Sequence, residues 1–134
     1  MIVVDTNVIG YLYLTSDRSA QAEQAFSKDP GWAAPLLWRS ELRNVLALYI
    51  RKQILTLGEA QEIMAEAIGL MQDQEYEVNS LQVLRLVASS TCSAYDCEFV
   101  TLAQDLGVPL ITVDRQILVQ FPTTAVPLEA FASS

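Results

Sequence analysis

The sequence predicts an α/β fold, an α/β/α sandwich around a mostly parallel central sheet of four to five strands. Three observations carry this expectation. Short apolar, β-branched runs alternate with stretches of helical pattern, the order that builds a parallel sheet covered on both faces. The 134 residues amount to one domain, residues 1–134, large enough to bury a single core. No internal repeat, low-complexity tract or Gly/Ser/Pro-rich linker breaks the pattern.

The elements follow in order. "MIVV" is a first strand ending at Asp5, and "DTNVIGYLYL" turns it into a short helix or turn. Residues 16–28 carry helix formers behind a Ser/Asp start, and "DPG" stops them. "WAAP" reads as a second strand. "PLLWRSELRNVLALYIRKQ" (35–53) is a long helix with proline at its start, followed by a helix whose Thr56 and Glu59 have capping-box spacing. These two form a helical hairpin. "EYEVNS" gives a third strand, and Asn79 or Ser80 caps the next helix. Ser93 and Asp96 again have capping-box spacing and open a helix that ends at Gly107. "VPLITVD" is the fourth strand, "RQILVQF" a short helix, and "TTAVPL" an edge strand. Ligands of such folds gather outside the carboxyl ends of the strands.

Composition narrows the chemistry. No apolar run approaches the roughly 20 residues of a spanning helix. The start "MIVVDTNV" lacks the basic residues and length of a signal peptide, so a cytoplasmic protein without membrane contact is expected. Cys92 and Cys97 match neither redox nor zinc spacing and read as reduced structural thiols. The histidine count is zero, which removes Ser-His-Asp and Cys-His nucleophiles, His-ligated zinc and His-based metal-free ribonuclease chemistry. Carboxylates are left to carry any catalysis. A net charge of −8 argues against a broad basic surface for nucleic acid, so any polyanion has to be met locally.

Four carboxylates stand out. Asp5 and Asp114 each follow a strand and emerge at the carboxyl edge of the sheet, where each could also simply cap the helix that follows. At about 100° per residue, Leu37, Val45 and Leu48 lie within roughly 40° of Glu41, which places it in the middle of an apolar stripe. Arg39 and Arg43 project elsewhere, so Glu41 needs another source of compensation. Asp96 shares a stripe with Val100 and Ala103. If the four acids meet, each close pair repels by about 4 kcal/mol at about 4 Å and an effective dielectric near 20. Arg115 is the one basic residue beside a site carboxylate in sequence, so a divalent cation is the expected counter-charge. Hard oxygen ligands without His or Cys select Mg²⁺ or Mn²⁺. Such an ion suits phosphodiester hydrolysis, because it activates water and neutralises phosphate charge.

At this point the motifs resemble a known family. "MIVVDTNVIG", "SELRNVL" and "SAYDCEFVTLAQDLGVPLITVD" are similar, in order and over nearly the whole chain, to the acid-bearing segments of PIN-domain proteins, particularly the VapC-like toxins. The resemblance implies a PIN-like fold and a Mg²⁺/Mn²⁺-dependent endoribonuclease. Its catalytic and metal-holding acids, carried over by motif, are Asp5, Glu41, Asp96 and Asp114, supported by Asn7 and Thr112. It further implies a homodimer and a small cognate antitoxin that covers the acidic groove, as in a toxin-antitoxin pair. The chemistry expected is water attack on RNA that leaves a 5′-phosphate and a 3′-hydroxyl, with Arg115 as a candidate phosphate contact. Arg39, Arg43, Arg51 and Lys52 put half of the basic residues on one helix, read as a solvated face. Tyr11 and Tyr13 fit either a dimer contact or packing on the first helix. A haloacid-dehalogenase-like phosphatase would need an aspartate where Asn7 stands, and a receiver domain would need a lysine this chain does not place. The alternative of a different class is a catalytically silent PIN module that binds RNA or protein.

Overall fold

The computed structural model describes residues Met1–Ser134. Five strands form one all-parallel sheet: β1 (Ile2–Val4), β2 (Trp32–Pro35), β3 (Glu75–Tyr76), β4 (Leu110–Thr112) and β5 (Ala125–Pro127), in the order β3-β2-β1-β4-β5. The register pairs Val3 with Ala33 on one side and Val4 with Ile111 on the other. β1 is thus the strand from which the chain order runs both ways, and the crevice of such a sheet opens beside it. Every residue of β1, β2 and β4 is buried, as expected of strands covered on both faces.

Eight helices supply the cover: α1 (Thr6–Tyr13), α2 (Ser19–Lys28), α3 (Leu37–Arg51), α4 (Leu57–Leu70), α5 (Ser80–Ala88), α6 (Ala94–Leu106), α7 (Arg115–Gln120) and α8 (Leu128–Ser133). α6, backed by α5, packs on β1, β2 and β4, while α1, α2 and α8 form a second packed group that reaches β4 and β5. α3 and α4 pack as the expected hairpin. One continuous core joins these layers around Trp32, Trp38, Phe99, Ile9 and Leu42. Phe26 meets Trp32 edge-on, with ring centroids 5.3 Å apart. No helix is long and apolar enough to cross a membrane.

Three local expectations change. The third strand is only Glu75–Tyr76 and not the full "EYEVNS" run, because residues past Tyr76 leave β2, which itself ends at Pro35. After the edge strand the chain forms an additional helix, α8, seated on α2. Glu41 is not at the centre of the buried stripe of α3: that stripe is Trp38, Leu42 and Leu46, whereas Leu48 is 46% exposed. Glu41 therefore stands half-buried at the border of the packed face.

Candidate active site

The carboxyl ends of β1 and β4 bring the first two acids to adjacent strand ends. Asp5 has the extended backbone of a helix N-cap, yet its side chain makes no capping bond. Its Oδ2 instead accepts a 2.8 Å hydrogen bond from the hydroxyl of Thr112, the fully buried last residue of β4. The same hydroxyl accepts from the backbone N–H of Asp114 at 3.0 Å. One side chain thereby fixes the Asp5 carboxylate and the turn that carries Asp114. Asp114 caps α7, its Oδ1 accepting from the Ile117 N–H at 3.0 Å.

The other two acids come from helices. Thr6, the first residue of α1, donates from its hydroxyl to Glu41 Oε1 at 2.7 Å, tying α3 to the end of β1. Asp96 lies in the first turn of α6, and its backbone N–H donates to the Ser93 hydroxyl at 3.1 Å. Only this arm of the capping box is a formed hydrogen bond, unlike the Thr56–Glu59 box of α4, where both arms close. Neither Arg39 nor Arg43 reaches Glu41: Arg39 pairs with Glu75, and Arg43 turns back onto α3.

The electrostatics show that these acids share a field. Burial raises the Asp5 pKa from 3.8 to about 6; the Thr112 bond pulls it down, and Glu41 and Asp96 push it up. Glu41 is raised, first by burial and then by Asp96 and Glu98, against the lowering effect of Thr6. Asp96 is raised by burial and by Asp114, partly offset by the nearby Ser93 groups. No lysine or arginine forms an ion pair with any of the four, since the two ion pairs of the chain are Met1–Asp29 and Arg39–Glu75. The group is anionic and uncompensated.

Two contributors were not in the sequence reading. Thr6 lies within the "DTN" motif, but the supporting role there was expected of Asn7, which is exposed on α1 and lines a small cleft with Tyr11 and Tyr49. Glu98 is half-buried and close enough to raise the Glu41 pKa. At about 100° per residue it projects away from Asp96 on an isolated helix, so no one-face pattern marks it. Arg115 is exposed and turns toward a cavity beside the acids without bonding to any of them. Cys92 and Cys97 are free and buried, and burial pushes the Cys92 thiol up to about 11, which keeps it protonated and inert.

The donor set fits a hard divalent cation in chemistry and charge: oxygen ligands only, mutually repelling, buried enough to raise their pKa values, and unpaired. In spacing the set is open, because no three acidic or thiol side chains are drawn together into a formed metal cluster. The threonine bonds to Asp5 and Glu41 show how two of the acids are held in that open state.

Fold and site together define a class: a parallel α/β/α protein with uncompensated acids at the carboxyl edge of its sheet. Comparison with known proteins makes the assignment specific. A profile of the PIN domain matches residues 2–121, and the chain belongs to the PIN domain family. It is 30% identical over 129 residues to a protein of Pyrobaculum aerophilum named Ribonuclease VapC3, covering 94% of this chain and 98% of that one. The fold matches the crystal structure of PAE2754, also from Pyrobaculum aerophilum, with a TM-score of 0.78 at 20% identity, over 98% of this chain and 93% of the other.

Proposed function

We propose that this protein is a Mg²⁺- or Mn²⁺-dependent endoribonuclease, a single nuclease domain over residues 1–134, acting in the cytoplasm as the toxin of a toxin-antitoxin pair. The observation that supports this most is the convergence of Asp5, Glu41, Asp96 and Asp114 on one field with no basic partner, in a PIN-family chain similar to a named ribonuclease. Asp5, Glu41 and Asp96 would hold the ion, and Asp114 would complete its surroundings. When bound, the ion supplies neutralisation of phosphate charge and a lowered pKa for water.

The remaining work falls to the chain. Thr112 keeps Asp5 oriented and deprotonated, since its single proton is committed to that carboxylate. Thr6 does the same for Glu41. Burial of both acids removes competing water, which strengthens their pull on a cation. The cleavage so supported is hydrolytic, with water as nucleophile and a 3′-hydroxyl as leaving group. A homodimer with a cognate antitoxin over the acidic groove completes the reading.

The open spacing of the acids is what a catalytically silent RNA- or protein-binding module would also show. The two readings separate on incubating purified protein with structured RNAs and Mn²⁺, beside an EDTA control and the Asp5→Asn variant. Mn²⁺-dependent cleavage lost in Asp5→Asn is expected. Cleavage that survives the substitution, or no cleavage of any RNA, would reject the nuclease reading.

A further inference from the structure

A cavity of about 480 Å³ opens at the carboxyl ends of β4 and β5, next to the acids. Its polar lining is Asp17, Arg18, Gln21, Thr112, Arg115 and Glu129. Thr112 belongs to both regions, since its hydroxyl holds Asp5. The cavity is thus continuous with the acid group along the edge of the sheet.

Its cations are free. Of eight basic residues, Arg39 is paired with Glu75, Arg43 with groups of its own helix, Arg85 with Gln82, and Lys28 with the chain end at Phe131 and Ser134. The side chains of Arg18 and Arg115 donate to nothing in the protein, and neither forms an ion pair with Asp17 or Glu129 across the same cavity. On a chain of net charge −8, placing two unpartnered guanidinium groups in one recess next to the acids is a local exception to the global sign. Their planar forks suit a phosphate. The two carboxylates make a bare anion or an acidic peptide a poor occupant. A nucleotide answers both halves of the lining, with an anionic phosphate for the arginines and N–H donors on its base edge for Asp17 and Glu129. Pockets of roughly 300–1,000 Å³ take ligands of that size.

Resting on the nuclease reading, we propose that this cavity is a nucleotide subsite. It holds the residue adjoining the scissile phosphate, with its own phosphate between Arg18 and Arg115 and its base against Asp17 and Glu129. Since that base edge has to be unpaired, the substrate is single-stranded RNA or the loop of a folded one.

The test uses a fluorescently labelled single-stranded RNA oligonucleotide and the full-length protein. Anisotropy in EDTA over a range of salt concentrations is compared for the parent, Arg18→Ala, Arg115→Ala and the double variant, with Mn²⁺-dependent cleavage of the same RNA followed in parallel. Both side chains are exposed, so equal melting temperatures verify folding. The double variant is expected to bind at least about tenfold more weakly, with a log–log salt slope shallower by about 1.4, at about 0.7 per lost phosphate contact. Its KM for cleavage rises accordingly. Unchanged affinity and slope beside a parent that cleaves overturns the subsite and leaves the nuclease reading standing. Arginine-dependent binding without cleavage by the parent keeps the subsite and removes the nuclease reading. A parent that neither binds nor cleaves removes both.

Discussion

Thr112 has one hydroxyl proton and spends it on Asp5, while its lone pair takes the Asp114 N–H. Thr112→Val removes both bonds inside a fully buried site, and leaving those partners unsatisfied costs about 1–3 kcal/mol. Chemical denaturation should show that loss, and Thr112→Ser should restore most of it. Asp5 itself is destabilising when charged. The folded protein holds its proton to about pH 6 against an ordinary 3.8, so its contribution to stability is fully present below the lower value and lost as pH rises through the higher. Asp5→Asn should therefore raise stability at neutral pH by on the order of 1–3 kcal/mol and flatten the fall between those pH values in thermal melts, while abolishing the proposed cleavage. A variant less stable than the parent at pH 7 would contradict this account. Of the site residues, the four acids were legible because each is an odd charge in an apolar context. Thr6 and Glu98 were not, because their roles depend on neighbours across the fold.

At the scale of the element, local rules predicted what local rules control. The Thr56–Glu59 box closes in both directions, Asn79 caps α5 through the Gln82 N–H, and α6 ends in left-handed Gly107 at φ +67°. Thr56→Ala should cost about 1 kcal/mol by removing one arm of the box. The glycines give an opposed pair. Gly107→Ala has open space around it but a backbone that L residues avoid, so it should lose about 1 kcal/mol. Gly69→Ala, within α4 and equally unobstructed, should gain about 0.5–1 kcal/mol. Equal effects in the two melts would refute the conformational explanation. α8 escaped the sequence reading for the same reason that these succeeded. Its six residues have no side-chain cap, and it is held by packing on α2 and by Lys28, which bonds the Phe131 and Ser134 carbonyls and lies 4.4 Å from the Phe131 ring centroid.

For the whole molecule the decisive quantity is the charge assembled at the sheet edge. A cation that relieves it binds the folded state and not the unfolded chain, so it stabilises by mass action, about 2.7 kcal/mol at a hundred times its Kd. Mn²⁺ or Mg²⁺ should raise the melting temperature at pH 7, and the double variant Asp5→Asn/Asp96→Asn should lose that response. A metal-independent melting temperature in the parent would count against the site. Such a response would also appear without any RNA, which separates metal binding from cleavage.

By itself the sequence determined the alternation of strands and helices, their caps and stops, the absence of histidine chemistry and the family resemblance, because these depend on neighbours a few residues apart or on type alone. Only the tertiary structure decided that Thr112 holds Asp5 across 107 positions and Thr6 holds Glu41 across 35. The same is true of the border position of Glu41 and of Arg18 and Arg115 facing one cavity. Those relations are set by parallel crossovers that bring distant strand ends together, and periodicity along the chain carries no record of which ends become neighbours.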